Sequence, residues 1–203
     1  MLLSHDEVER VFRKVKAVRD HMGLMLVEGN QPELDPQRLA QIIADMYQLS
    51  IKIFEVFAGG DTILGNVERY ANGTAVVMVK AEKPEPVIRF VKTKELCHLL
   101  NDEQDDWSNR PLETIAEMRV EFKLAEENGG GTPNPTRTQM SEYLAEIAAT
   151  ALMYPCEYHA ADRAKIEAGT TTLGKIGHEH NIPAWVAEQA LDHATIYDLY
   201  HTI

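Results

Sequence analysis

Arg89 to Leu100 is the stretch richest in side chains that could do chemistry. On a helix, Lys94 and His98 lie four residues apart and share a face, with Glu95 beside it. Two histidines at i and i+4 on a helix hold zinc, and the carboxylate after the first of them activates a zinc-bound water. Here His98 supplies the second imidazole and Glu95 the carboxylate. Lys94 stands where the first imidazole would be. A lysine ammonium is cationic at neutral pH and is a poor metal ligand unless it is deprotonated.

A second segment, Glu142 to Pro155, is rich in small residues (Ala145, Ala148, Ala149, Ala151). Such a helix lets another approach closely. Glu142, near its start, can face a ligand site or simply complement the helix dipole. Cys97 adjoins His98 but sits about 100° round the helix from it. It reads as a small buried thiol, with a soft metal ligand as the alternative. His178 and His180 flank Glu179, but at i and i+2 on a helix they diverge, so both read as solvated.

With these two segments side by side, the sequence resembles the ImmA/IrrE family of zincin-fold metallopeptidases. That family shows an Arg-Phe-x-x-x-His-Glu-x-x-His helix. Farther on it shows a Glu-x-x-Ala-x-x-Phe-Ala-x-x-Leu-Leu-Met-Pro helix, whose leading Glu is the third metal ligand. Arg89 and Phe90 match the entry of the first motif, Glu95 its catalytic carboxylate and His98 its second His ligand. Glu142 falls at the third-ligand position, Ala145 and Ala149 at the small positions, and Leu152 and Pro155 at the close. Ala148 replaces the aromatic, Met153-Tyr154 replaces Leu-Met, and Lys94 replaces the first ligand. The resemblance covers residues 30–195, but these two motifs carry nearly all of its specificity.

The resemblance implies a metal site in which only His98 and Glu142 remain as protein ligands, short of the three that catalytic zinc sites use. The expected function is regulatory. The protein would bind a protein partner such as a helix-turn-helix transcriptional repressor, in the mobile elements or stress circuits where family members are often encoded. It would carry no cofactor, or zinc if the site is functional. One alternative is an active endopeptidase that cleaves a repressor, with Glu95 as general base and His159 or His180 folding back as third ligand. Another is an acidic helical interaction module with no site at all.

The elements that must position these residues follow from periodicity and punctuation. Val8, Phe12, Val15, Val18, Met22 and Met25 predict an amphipathic helix over 6–27. Asp35-Pro36 predicts an N-cap with proline at the first helical position. Leu49–Phe57 alternates as a strand, and Gly59-Gly60-Asp61 reads as a turn. Ile63–Tyr70 and Thr74–Val79 form a hairpin about Asn72-Gly73. Helices are expected over 88–100, 111–124 and 139–153, then shorter ones over 157–167, 171–180 and 184–199. Asp102 to Asp106 reads as an acidic loop. Residues 129–135, with three glycines and two prolines, read as an exposed loop between the two site-bearing helices.

Clustered strands favour α+β architecture: a zincin-like, small, mainly antiparallel sheet against helices, with a helical C-terminal extension. Residues 1–160 would form the metallopeptidase-like domain and 161–203 the extension. The net charge of −12 argues against a nucleic-acid binder and against docking on anionic membranes. The tail has a helix-turn-helix look, but from Glu157 onward three basic residues against seven acidic ones leave it at −4, the wrong sign for reading DNA. No apolar run approaches the roughly 20 residues of a membrane span. Two cysteines outside any C-x-x-C pair, and an opening Met1–Glu7 that turns acidic at once, point to the cytoplasm. In a degenerate site the ammonium of Lys94 would stand in for the metal, which predicts a contact of about 2.7–3.2 Å to Glu142 or Glu95.

Overall fold

The computed structural model describes residues 4–23, 34–57, 64–102, 137–193, 196–197 and 200. Helix α1 spans His5–Met22. Ser4 opens it with a reciprocal capping box: its hydroxyl accepts from the Glu7 amide, and the Glu7 carboxylate accepts from the Ser4 amide. Val8, Val11, Phe12, Val15, Val18 and Met22 form the buried stripe. The helix closes earlier than the periodicity predicts. Gly23 takes a left-handed conformation (φ 64°), and its N–H returns to the Arg19 and Asp20 carbonyls. Helix α2 spans Pro36–Tyr47, with Asp35 Oδ1 accepting from the Gln37 amide at 2.9 Å.

Strands β1 (Ser50–Val56), β2 (Gly65–Arg69) and β3 (Thr74–Lys80) form a three-stranded sheet in the order β1-β3-β2. The β2–β3 hairpin turns at Asn72-Gly73 as expected. Gly73 has φ 81°, and Asn72 Oδ1 accepts from the Thr74 amide. The expectation of a mainly antiparallel sheet is corrected for the other pair. β1 runs parallel to β3, from Ser50 opposite Thr74 to Val56 opposite Lys80. The reason is local: Ser50 N–H donates to Gly73 O at 2.8 Å, so β1 and β3 leave from the same end of the sheet.

Ala75, Val77 and Val79 bury one face of β3. Helix α3, Glu85–Asn101, covers that face and is tied to β1 by Lys92 Nζ donating to Glu55 Oε1 at 2.6 Å. Helix α4, Arg137–Met153, packs on α3 and buries Ala145, Ala148 and Ala149 completely. A 3₁₀ turn (Cys156–Tyr158) then leads into α5 (His159–Glu167), α6 (Leu173–Glu179) and α7 (Ala184–Asp192). The α6–α7 corner is tight. A Cβ on Gly177 would lie 2.8 Å from the Ile182 carbonyl. Arg89, buried on α3, holds this corner and the approach to α2 together. Its Nε donates to Leu34 O at 3.0 Å and its Nη1 to Asn181 O at 2.6 Å.

The architecture is therefore α+β, a small mixed sheet among helices. No described helix is long and apolar enough to cross a membrane. The expected turn at 59–61, helix at 111–124 and loop at 129–135 lie outside the described residues.

Candidate functional site

Lys94 and His98 do share one face of α3, and that face meets the first turns of α4. There Lys94 Nζ lies 2.5 Å from Glu142 Oε2 and 3.4 Å from Glu95 Oε1. The predicted ammonium–carboxylate contact forms, and with Glu142 it is shorter than the expected range. His98 stands one helical turn on, with Nε2 3.5 Å from Glu142 Oε1. Its Nδ1 is 2.8 Å from Asp102 Oδ2 and 3.1 Å from Ser141 Oγ. Ser141 Oγ in turn donates to the Asp102 carboxylate at 2.9 Å. The structure thus brings Lys94, Glu95, His98 and Glu142 into one cluster and adds Asp102 and Ser141.

Accessibility is uneven. The side chains of Glu95 and His98 are 5% and 6% exposed, Lys94 is 21% exposed and Glu142 is 43% exposed. The cluster is therefore most exposed at Glu142. Burial works against charge on Lys94, but the charges of Glu95 and then Glu142 outweigh it and hold the ammonium above the ordinary lysine range. Burial also disfavours the His98 imidazolium. Hydrogen bonds to Asp102 and Glu142, with the charges of Glu95 and Asp102, reverse this and raise His98 to about 10. For Glu142 burial favours the neutral form, but His98 and Lys94 win and keep its carboxyl well below the usual range. At 3.5 Å the His98–Glu142 approach is an electrostatic contact rather than a well-formed hydrogen bond. Nε2 accordingly has no strict hydrogen-bond partner among the described residues.

What the cluster can do chemically is limited by these states. Lys94, held as an ammonium, has no lone pair for a metal or for nucleophilic attack. His98 faces a carboxylate from each ring nitrogen, Asp102 at Nδ1 and Glu142 at Nε2, an arrangement that favours a proton on both. With Lys94 an ammonium, the conventional ligands left at this position are His98 and Glu142, fewer than the three that a catalytic zinc site uses, so the donor set does not fit zinc. Among the described residues no three His, Cys, Asp or Glu side chains converge as a metal shell. Ser141, His98 and Asp102 also do not form a nucleophilic triad. Serine and aspartate both meet Nδ1, whereas a triad needs them on opposite ring nitrogens. What the cluster offers is two positive donors facing one accessible carboxylate.

His159 and His180, the expected alternative ligands, belong to a second cluster. His159 Nε2 is 3.1 Å from Tyr154 O. His180 Nε2 is 3.3 Å from Asp162 Oδ2, with its ring against Tyr154 and Tyr158. His178 is exposed as expected, but His180 is not the solvated side chain that the i, i+2 spacing predicts. It ends α6 and turns inward onto the Tyr154 ring. Cys97 is fully buried, and burial pushes its thiol up, in keeping with a packing role.

Three residues at the site carry weight beyond what the sequence pattern assigns them. Asp102 reads as the edge of an acidic loop, although its i+4 spacing from His98 on a helix is a readable signal. Ser141 carries no signal. Gly65 starts β2 directly against the site. A Cβ there would lie 2.4 Å from Val91 Cγ1 and 2.9 Å from Glu95 Oε1. A glycine inside a strand pattern does announce such close approach. One turn along α4, Glu146 carries a carboxyl that burial raises, opposed by a hydrogen bond with Gln189 of α7. This connects the site helix to the C-terminal helices.

No family model matches this sequence, and a search of curated proteins finds no match either.

Proposed function

We propose that this protein is a metallopeptidase-like regulatory protein of the ImmA/IrrE type, whose metal position is taken by the ammonium of Lys94 and which acts by binding rather than by cutting. The supporting observation is the placement of Lys94 Nζ between Glu142 and Glu95, at the helix position where the family motif carries its first ligand. An ammonium there pairs with Glu142, at the third-ligand position of the motif, and with Glu95 beside it. It supplies no Lewis acid and no activated water. His98 is a fixed donor and Glu95 a buried counter-charge, so neither is poised as a general base toward water.

The partner best suited to this reading is a protein, a helix-turn-helix repressor being the type that the family resemblance suggests. The test is to mix the purified protein with a helix-turn-helix repressor encoded by a neighbouring gene. A complex that co-elutes on size exclusion with the repressor intact is the expected result. Cleavage of the repressor, abolished by chelator, would overturn the reading in favour of an active endopeptidase.

A further inference from the structure

Two positive donors converge on a single carboxylate, and that carboxylate is the most accessible member of the cluster. Glu142 gives Oε2 to Lys94 Nζ at 2.5 Å and Oε1 toward His98 Nε2 at 3.5 Å. The first contact is a close charge-assisted hydrogen bond. The second leaves the buried Nε2 without a hydrogen-bond partner among the described residues. Glu142 therefore fits one donor well and the other poorly.

The surroundings make its place exchangeable. At 43% exposure Glu142 can rotate into water, whereas Glu95 and Asp102, at 5% and 7%, stay buried. With Glu142 swung out, two positive groups face two negative ones. The cluster is then neutral overall, yet the side that Glu142 leaves presents Lys94 Nζ and His98 Nε2. Each donor calls for one oxygen, which matches the two oxygens of a carboxylate. A phosphate dianion would bring further charge and oxygens against Glu95.

We propose that Lys94 and His98 form a carboxylate-binding site that Glu142 closes from within and that a carboxylate of the docking protein opens by taking Glu142's place. This rests on the reading of the cluster as a partner-binding site. The carboxylate can come from the C-terminus of the docking protein or from one of its Asp or Glu side chains, and the experiment separates the two.

The probe is sodium acetate, titrated into metal-free protein while the ¹H–¹⁵N resonances of the His98 ring are followed. Sodium chloride at equal ionic strength and neutral acetamide serve as controls. Acetate should shift the His98 resonances saturably and acetamide should not. Glu142→Ala, which lacks the internal competitor, should bind acetate at least about tenfold more tightly than wild type. Glu142→Gln keeps the shape without the charge and should change affinity in the same direction, which covers the case of an unstable alanine variant. N-acetyl-dialanine with a free C-terminus and N-acetyl-aspartate amide then compete as the two carboxylate sources, and the tighter one identifies the source. Equal acetate affinity in wild type and both variants, or no saturable His98 shift in any of them, overturns the site. Acetate binding with neither peptide binding overturns its role in docking. Zinc in the protein as purified would overturn the proposed function alone, because the titration is still read on the metal-stripped protein.

Discussion

Replacing Lys94 with methionine keeps most of the stem and deletes the ammonium. Glu95 and Glu142 then lose the cation between them and keep only His98 nearby. Glu142 is 43% exposed and can turn to water, so its share is that of a surface ion pair, ~0–1 kcal/mol. Glu95 is 5% exposed, and breaking a buried pair by removing one partner costs about 3–5 kcal/mol. Lys94 is itself 21% exposed and its contact with Glu95 is 3.4 Å, so a value discounted from that range, about 2–4 kcal/mol, is expected near neutral pH. The assay is urea denaturation of wild type and variant, with Glu95→Gln added in the Lys94→Met background. That second change removes the stranded charge and should recover most of the loss. The pH dependence has a definite sign. Glu142 sits below its ordinary value of 4.5, so its contribution is present above that value and fades as pH falls below it. Lys94 sits above its ordinary 10.5, so its contribution holds below that value and is lost as pH rises past it. The gap between wild type and Lys94→Met should therefore be widest between these values and narrow in acid. A loss under about 1 kcal/mol across this window, the surface-pair value, would refute the structural role assigned to the ammonium.

Other outcomes follow from the same geometry. His98 should remain an imidazolium through neutral pH and titrate near 10 by NMR, and Asp102→Asn should bring that midpoint down. Because its folded value exceeds the ordinary 6.5, the stability from His98 is complete below 6.5 and is lost as pH rises through about 10. Gly65→Ala forces a Cβ to within 2.4 Å of Val91 Cγ1 and should cost about 1–3 kcal/mol in chemical denaturation. Arg89→Met removes the donors to the buried Leu34 carbonyl and the part-buried Asn181 carbonyl and should lower stability by about 2–4 kcal/mol. Faster amide exchange at the α6–α7 corner than in α1 would locate that loss.

Features that depend on near neighbours in the sequence are legible in it. Asp35-Pro36 announces the start of α2, Asn72-Gly73 announces the hairpin, and the 94/98 spacing puts Lys94 and His98 on one face. The meeting of that face with Glu142 comes from motif resemblance rather than from periodicity, because nothing local says that α4 lies on α3. Strand direction is less accessible. The hairpin signal fixes β2 against β3, but β1 pairs with β3 on its far edge, a choice made by the Ser50–Gly73 hydrogen bond and the packing of α2. The end of α1 is hidden for a related reason. Gly29 and Pro32 look like the stronger stop, yet Gly23 already completes the carbonyl pairing. The spacing of His180 from His178 suggests an outward side chain, but α6 is short and ends there, so the ring follows the aromatic surface of Tyr154 instead.

The central claim is that an ammonium holds the place of a metal, and zinc stoichiometry by elemental analysis tests it most directly. Wild type and Lys94→His would be purified without chelator and measured together. In the variant, the introduced imidazole, His98 and Glu142 make the three-ligand set that a zinc site of this type uses. Wild type should hold no tight zinc and Lys94→His should hold about one per molecule. One tight zinc in wild type, or none in the variant although it folds, would contradict the account.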